Sequence, residues 1–123
     1  MTLDTNIVIA YLAGEEQVIQ TLSSLKKKGR IFLLPTIVEA EILAYPLWSA
    51  IERTDAERFL EENFHSIPFD RTIARAAAEI RRATKIKFPD AAIAATALVT
   101  RTILATRNVR DFRKIPDIQL FKL

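Results

Sequence analysis

The chain has no cysteine, only two glycines, one histidine and one tryptophan among its 123 residues. Each shortage removes a class of chemistry. Without cysteine there are no disulfides, no thiolate metal sites and no cysteine nucleophile, which fits a reducing compartment and leads us to expect a cytoplasmic protein. Two glycines leave little room for flexible linkers, and no glycine-rich phosphate loop can be drawn. The lone His65 lies beside Phe64 in a connection between a helix and a strand, and reads as a surface residue. The apolar runs all fall short of the ~20 residues a membrane span requires. Asp4 also interrupts the first of them with no basic leader ahead of it, so neither a membrane segment nor an export signal is expected.

What remains is half apolar and 27% charged, the balance of a folded chain, and its length suits a single domain over residues 1–123. The net charge of +3 and pI near 9.4 permit a polyanionic partner without requiring one. The basic residues fall into groups: Lys26, Lys27, Lys28 and Arg30; Arg81, Arg82, Lys85 and Lys87; and Arg107, Arg110, Arg113 and Lys114. Taken singly, each group also describes a solvated helix end.

Periodicity divides the chain into short apolar runs and longer helical ones. Asn6 to Leu12 and Glu15 to Lys28 read as helices, the second opened by acids, closed by lysines and stopped by Gly29. Ile31 to Leu34 reads as a buried strand. Thr36 to Trp48 is apolar on nearly all sides, which predicts a helix with one face in the core and another against a partner subunit, ended or kinked at Pro46. Thr54 with Glu57 has capping-box spacing for the next helix. A strand at Ile67 to Phe69, a helix capped by Asp70 and running to Thr84, and another opened by Phe88-Pro89-Asp90 follow. Thr102 to Ala105, a turn or short helix at Asn108 to Arg113, and Ile118 to Phe121 close the chain. Strands of this kind alternating with helices predict a three-layer α/β/α fold around a mainly parallel sheet of four to five strands. In such sheets ligands gather beyond the carboxyl ends of the strands.

The acidic residues fall where that rule matters. Asp4 follows the first strand, Asn108 and Asp111 follow the fourth, Asp90 starts a helix, and Glu41 lies inside the largely apolar one. Aspartate is also a preferred helix cap, so Asp4, Asp70, Asp90 and Asp111 each have a purely structural reading. Glu41 is harder to explain that way, because Ile37, Val38, Ala44 and Tyr45 are its helical neighbours. Carboxylates that converge repel one another unless a cation neutralises them, and an all-oxygen donor set favours Mg²⁺ or Mn²⁺ over zinc. A cation held this way can polarise a phosphodiester and activate water, so no side-chain nucleophile is needed.

The segments LDTNIVIAYL, EAEIL, FPDAAIAATAL, ATRNVRDF and IPDIQLF, in this order and spacing, resemble the PIN-domain ribonucleases, in particular the VapC-type toxins of prokaryotic toxin-antitoxin pairs. The resemblance runs the length of the chain. It implies Asp4, Glu41 and Asp90 as metal ligands and Asn6 as a supporting hydrogen-bonding residue. It also implies Asn108 or Asp111 as the fourth acidic position, with Thr106 near the metal-bound water or a phosphate. The catalytic set it implies is thus Asp4, Glu41, Asp90 and Asp111. Glu39 is the rival of Glu41 on the same helix, and the AEIL context favours Glu41. The activity implied is Mg²⁺- or Mn²⁺-dependent endonucleolytic cleavage of RNA by a homodimer restrained by a cognate antitoxin. Three alternatives stand beside it: a non-catalytic metal- or RNA-binding module of the same fold, a structure-specific DNA nuclease, and a phospho-acceptor receiver domain. The receiver is disfavoured because Thr5, not a second acid, follows Asp4.

Overall fold

The computed structural model describes residues 1–123. Five short strands form one sheet in which every pairing is parallel: β1 (Thr2–Leu3), β2 (Leu33–Pro35), β3 (His65–Ile67), β4 (Leu104–Thr106) and β5 (Leu120–Lys122), in the order β3-β2-β1-β4-β5. Seven helices connect them: α1 (Thr5–Leu12), α2 (Glu16–Lys27), α3 (Thr36–Leu43), α4 (Ala50–Asn63), α5 (Arg71–Ala83), α6 (Phe88–Thr100) and α7 (Val109–Phe112). The chain moves outward from β1 through β2 to β3, then returns through α5 and α6 to the other side of β1. Right-handed crossovers in these opposite directions put helices on both faces, the expected three-layer α/β/α arrangement.

β1 has only two residues yet is the centre of the sheet. The Thr2 and Asp4 amides donate to the Ile103 and Ala105 carbonyls at 2.8 and 3.0 Å, and Leu33 donates to Met1 on the other side at 2.8 Å. Beneath it runs α6, whose residues Ala91 to Ala97 are all buried. Five alanines in that stretch let the helix lie close to the sheet, and Arg101 in the left-handed conformation (φ 54°) stops it. Outside α6, α5 presents Ile73, Ala77 and Ile80 at helical spacing and is started by Asp70, whose carboxylate accepts from the Ile73 amide at 2.9 Å.

The structure corrects several sequence expectations. The helix expected to reach Trp48 ends at Leu43, and the indole N–H of Trp48 turns back to the Ile42 carbonyl at 2.9 Å. The residue ahead of Pro46 is disfavoured in helix, so the chain leaves the helix before the proline. The capping box belongs to Ser49 and Glu52, not Thr54 and Glu57, and lengthens α4 at its start; Thr54 lies inside it with its hydroxyl on the Ala50 carbonyl at 2.9 Å. β3 begins at His65, two residues earlier than expected, because register with β2 pairs His65 to Leu33. Conversely β2, β4 and β5 each start two residues later, which puts Thr106 in the sheet itself. No helix is long and apolar enough to cross a membrane.

Candidate active site

The strand order reverses between β1 and β4, and at the carboxyl ends of these two strands stand Asp4 and Thr106. Asp4 is 4% exposed and Thr106 fully buried, and the Thr106 hydroxyl donates to Asp4 Oδ2 at 2.6 Å. Asp4 Oδ1 accepts from the Thr5 amide at 2.7 Å, so the aspartate does cap α1. Capping uses one oxygen, and the other is locked to a residue 102 positions away in sequence. Burial pushes the Asp4 carboxyl above its ordinary pKa, against the lowering effect of the Thr106 and Thr5 hydrogen bonds, and the charge of Glu41 pushes it the same way as burial.

Glu41 reaches this edge from α3 and accepts from the Thr5 hydroxyl at 2.7 Å. Thr5 thereby binds two acidic side chains at once, through its backbone to Asp4 and its hydroxyl to Glu41. Glu41 is exposed despite its apolar helical neighbours; α3 turns that flank to solvent and buries Val38 and Ile42. Asp90, in the first turn of α6, is half-buried. Burial first, then the charges of Asp4, Glu41 and Asp111, raise its pKa, with Lys87 pulling the other way. The four acids therefore share one electrostatic field.

At the fourth position both candidates are present and joined. The Asn108 amide side chain donates to Asp111 Oδ2 at 3.0 Å, and the Asn108 backbone N–H donates to Thr106 Oγ1 at 2.9 Å. Asn6 Oδ1 accepts from the Arg107 amide at 3.3 Å, tying α1 to the end of β4. Outside this, the Arg107 guanidinium spans both oxygens of Glu15. Asp90, Asn108 and Asp111 line a cleft of about 310 Å³ together with Lys85, Lys87 and Lys114. Glu39, half-buried, makes no side-chain hydrogen bond, and His65 is exposed on the edge strand.

A hard divalent cation suits this donor set, because every group is an oxygen and two of the carboxyls carry raised pKa values that a nearby positive charge would relieve. No three acidic side chains stand close enough to enclose an ion as they are placed. Thr5 was not anticipated as a site residue; its only signal was its place between Asp4 and Asn6.

The family profile of the PIN domain matches residues 1–118. This chain belongs to the PIN domain family. Similar solved structures cover almost all of the PIN domain. They include VapBC2 from Rickettsia felis bound to a promoter DNA fragment (23% identity, 99% of this chain and 97% of that one, TM-score 0.85). A toxin-antitoxin complex from Klebsiella pneumoniae (27%, 99% and 98%, TM-score 0.78) and FitAcB from Neisseria gonorrhoeae (29%, 98% and 95%, TM-score 0.79) are also similar. No curated protein gave a significant match.

Proposed function

We propose that this PIN domain is the toxin of a toxin-antitoxin pair and cleaves RNA endonucleolytically with a divalent cation, Mg²⁺ or Mn²⁺. The observation that carries the reading is the convergence of Asp4, Glu41, Asp90 and Asp111 on one field at the sheet's reversal point. The toxin assignment draws on the Klebsiella pneumoniae toxin-antitoxin complex and on VapBC structures of the same fold.

Asp4, Glu41, Asp90 and Asp111 would hold the cation, with Asn108 orienting Asp111. Thr106 and the Thr5 amide keep both Asp4 oxygens in place, and the Thr5 hydroxyl does the same for Glu41. A bound cation supplies Lewis acidity toward the phosphodiester and lowers the pKa of water. Lys85, Lys87 and Lys114 face the same cleft and hold the RNA backbone by charge, which positions it without reading its sequence.

A partner surface lies next to the site. Ile9, Leu12, Ile42, Tyr45 and Trp48 line an apolar groove of about 650 Å³ whose rim includes Glu41. An antitoxin segment seated there would run past the acidic centre, and the exposed Leu47 and Ile51 nearby would serve that contact or a second copy of the chain in a homodimer.

The test is cleavage of an RNA pool with Mg²⁺, with Mn²⁺ and with EDTA, for wild type, Asp4→Asn and Asp90→Asn. Losing several kcal/mol of charge stabilisation lowers the rate by about a hundredfold or more. Cleavage that persists in EDTA and in both variants refutes the reading. One observation favours a non-catalytic module: Asn108 is neutral and donates to Asp111, so the fourth position presents only the charge of Asp111, already partly engaged. Mn²⁺ binding without turnover of any RNA would establish that alternative.

A further inference from the structure

Two large aromatic residues stand apart from the core at the same edge of the sheet as the acids. Phe69 follows β3 and Phe88 opens α6; their rings meet edge to face, centroids 5.8 Å apart at 70°. They are 38% and 44% exposed. Neither belongs to the buried core cluster or to the partly buried side chains packed against it, so folding does not account for them. The pair is nevertheless held in place. The Phe69 amide donates to the Thr36 hydroxyl at 3.1 Å, which ties it to the start of α3, the helix carrying Glu41. Phe88 is fixed by α6 in the turn that carries Asp90.

On the chain, Phe88 lies between Lys87, which lines the acidic cleft, and Pro89-Asp90. Two rings more than a third exposed, rigidly mounted and next to cations that would hold a phosphate backbone, have the makings of a platform for an unpaired base. A protein partner suits this spot less well, because the centres of protein interfaces are depleted in lysine while Lys85, Lys87 and Lys114 surround the neighbouring cleft. The exposed aliphatic side chains Ile9, Leu47 and Ile51 belong to α1, to the turn after α3 and to α4.

We propose that Phe69 and Phe88 form a base-stacking subsite for single-stranded RNA, with Phe88 contacting a nucleobase next to the phosphate held over Asp90. The proposal rests on the endoribonuclease reading for its substrate. It adds that the substrate must be unpaired there, since a base within a duplex has no free face to stack.

The test uses a single-stranded oligoribonucleotide with 2-aminopurine, or an abasic site, moved one position at a time through the cleaved region. With wild type, one position shows fluorescence quenching on binding, and removing the base there weakens binding and raises KM by roughly tenfold to a hundredfold. Phe88→Ala produces the same loss on the intact strand, abolishes the quenching, and makes the abasic site neutral. Phe88→Trp restores all three, while Phe88→Leu, which keeps apolar bulk, does not. Phe69→Ala gives a smaller loss of the same kind, and melting curves show that each variant is folded. The proposal is overturned if wild type cleaves RNA but no position is quenched, if the protein and base deletions act independently, or if Phe88→Ala alters molecular mass in solution without altering KM. Quenching without cleavage leaves the subsite standing and removes the nuclease reading; absence of any RNA binding removes both.

Discussion

Replacing Thr106 with valine isolates the contact on which the candidate site turns. Valine keeps the shape of the β-branched side chain in the strand, so the change removes two hydrogen bonds and little else. One is the 2.6 Å donation to Asp4 Oδ2, and the other is acceptance from the Asn108 amide at 2.9 Å. Losing a bond to a charged, buried acceptor costs about 1.5–3 kcal/mol. The half-buried Asn108 amide can recruit water and adds about 1 kcal/mol. The sum is about 3 kcal/mol. With an unfolding entropy near 2.1 cal/mol/K per residue over 123 residues, this lowers Tm by about 12 °C.

The pH dependence separates this cause from general loosening. Burial places the Asp4 pKa above its unfolded value of 3.8, and Thr106 works to lower it. The raised pKa makes ionised Asp4 a net cost to the fold at neutral pH, a cost that disappears as pH falls and the carboxyl takes up a proton. Without Thr106 the folded-state pKa rises further. The stability gap between wild type and Thr106→Val is therefore full above the variant's titration and narrows as pH falls through that of Asp4. Urea unfolding in EDTA, followed by circular dichroism from neutral pH down toward pH 4, measures it. A gap below about 1 kcal/mol at neutral pH, or one that stays constant on acidification, refutes the account of Asp4 as a buried charge held by Thr106.

Saturating Mn²⁺ or Mg²⁺, at about a hundred times Kd, should stabilise the fold by about 2.7 kcal/mol, a rise of about 10 °C in a thermal melt. The rise should shrink as acid protonates Asp4 and Asp90, and Asp90→Asn should abolish it while melting no lower than wild type in EDTA. Arg107→Ala breaks the exposed link to Glu15 but leaves the Arg107 amide on Asn6. Cleavage assays should show a loss under tenfold, smaller than for Asp4→Asn. Trp48, the sole tryptophan, lines the apolar groove, so an antitoxin segment bound there should shift its emission to the blue. Unchanged emission at saturation would place the antitoxin elsewhere.

The alternation of apolar runs and helices was enough to read the layered parallel fold, because buried parallel strands must be short and apolar and their crossovers helical. The starts of β2 to β5 were misread by two residues, since register is set by neighbours such as His65 opposite Leu33 that no local pattern encodes. The end of α3 was misread because apolar residues after Leu43 look helical by composition, while Pro46 and the Trp48 bond to Ile42 govern the backbone. Asp4, Glu41 and Asp90 were singled out by motif and position; their mutual field could not be read from spacing, because it depends on how α3 and α6 pack against each other and beside β1. Thr5 and the Phe69–Phe88 pair escaped notice for a common reason. A threonine beside an aspartate and two phenylalanines far apart in sequence carry no pattern until the fold brings their partners near.

Because Thr106 closes on Asp4 across 102 positions of sequence, the Asp4 carboxylate stays unlocked until β4 has been made and has paired with β1. A nascent chain that has not yet laid β4 beside β1 thus lacks the bond that fixes the centre of the candidate site.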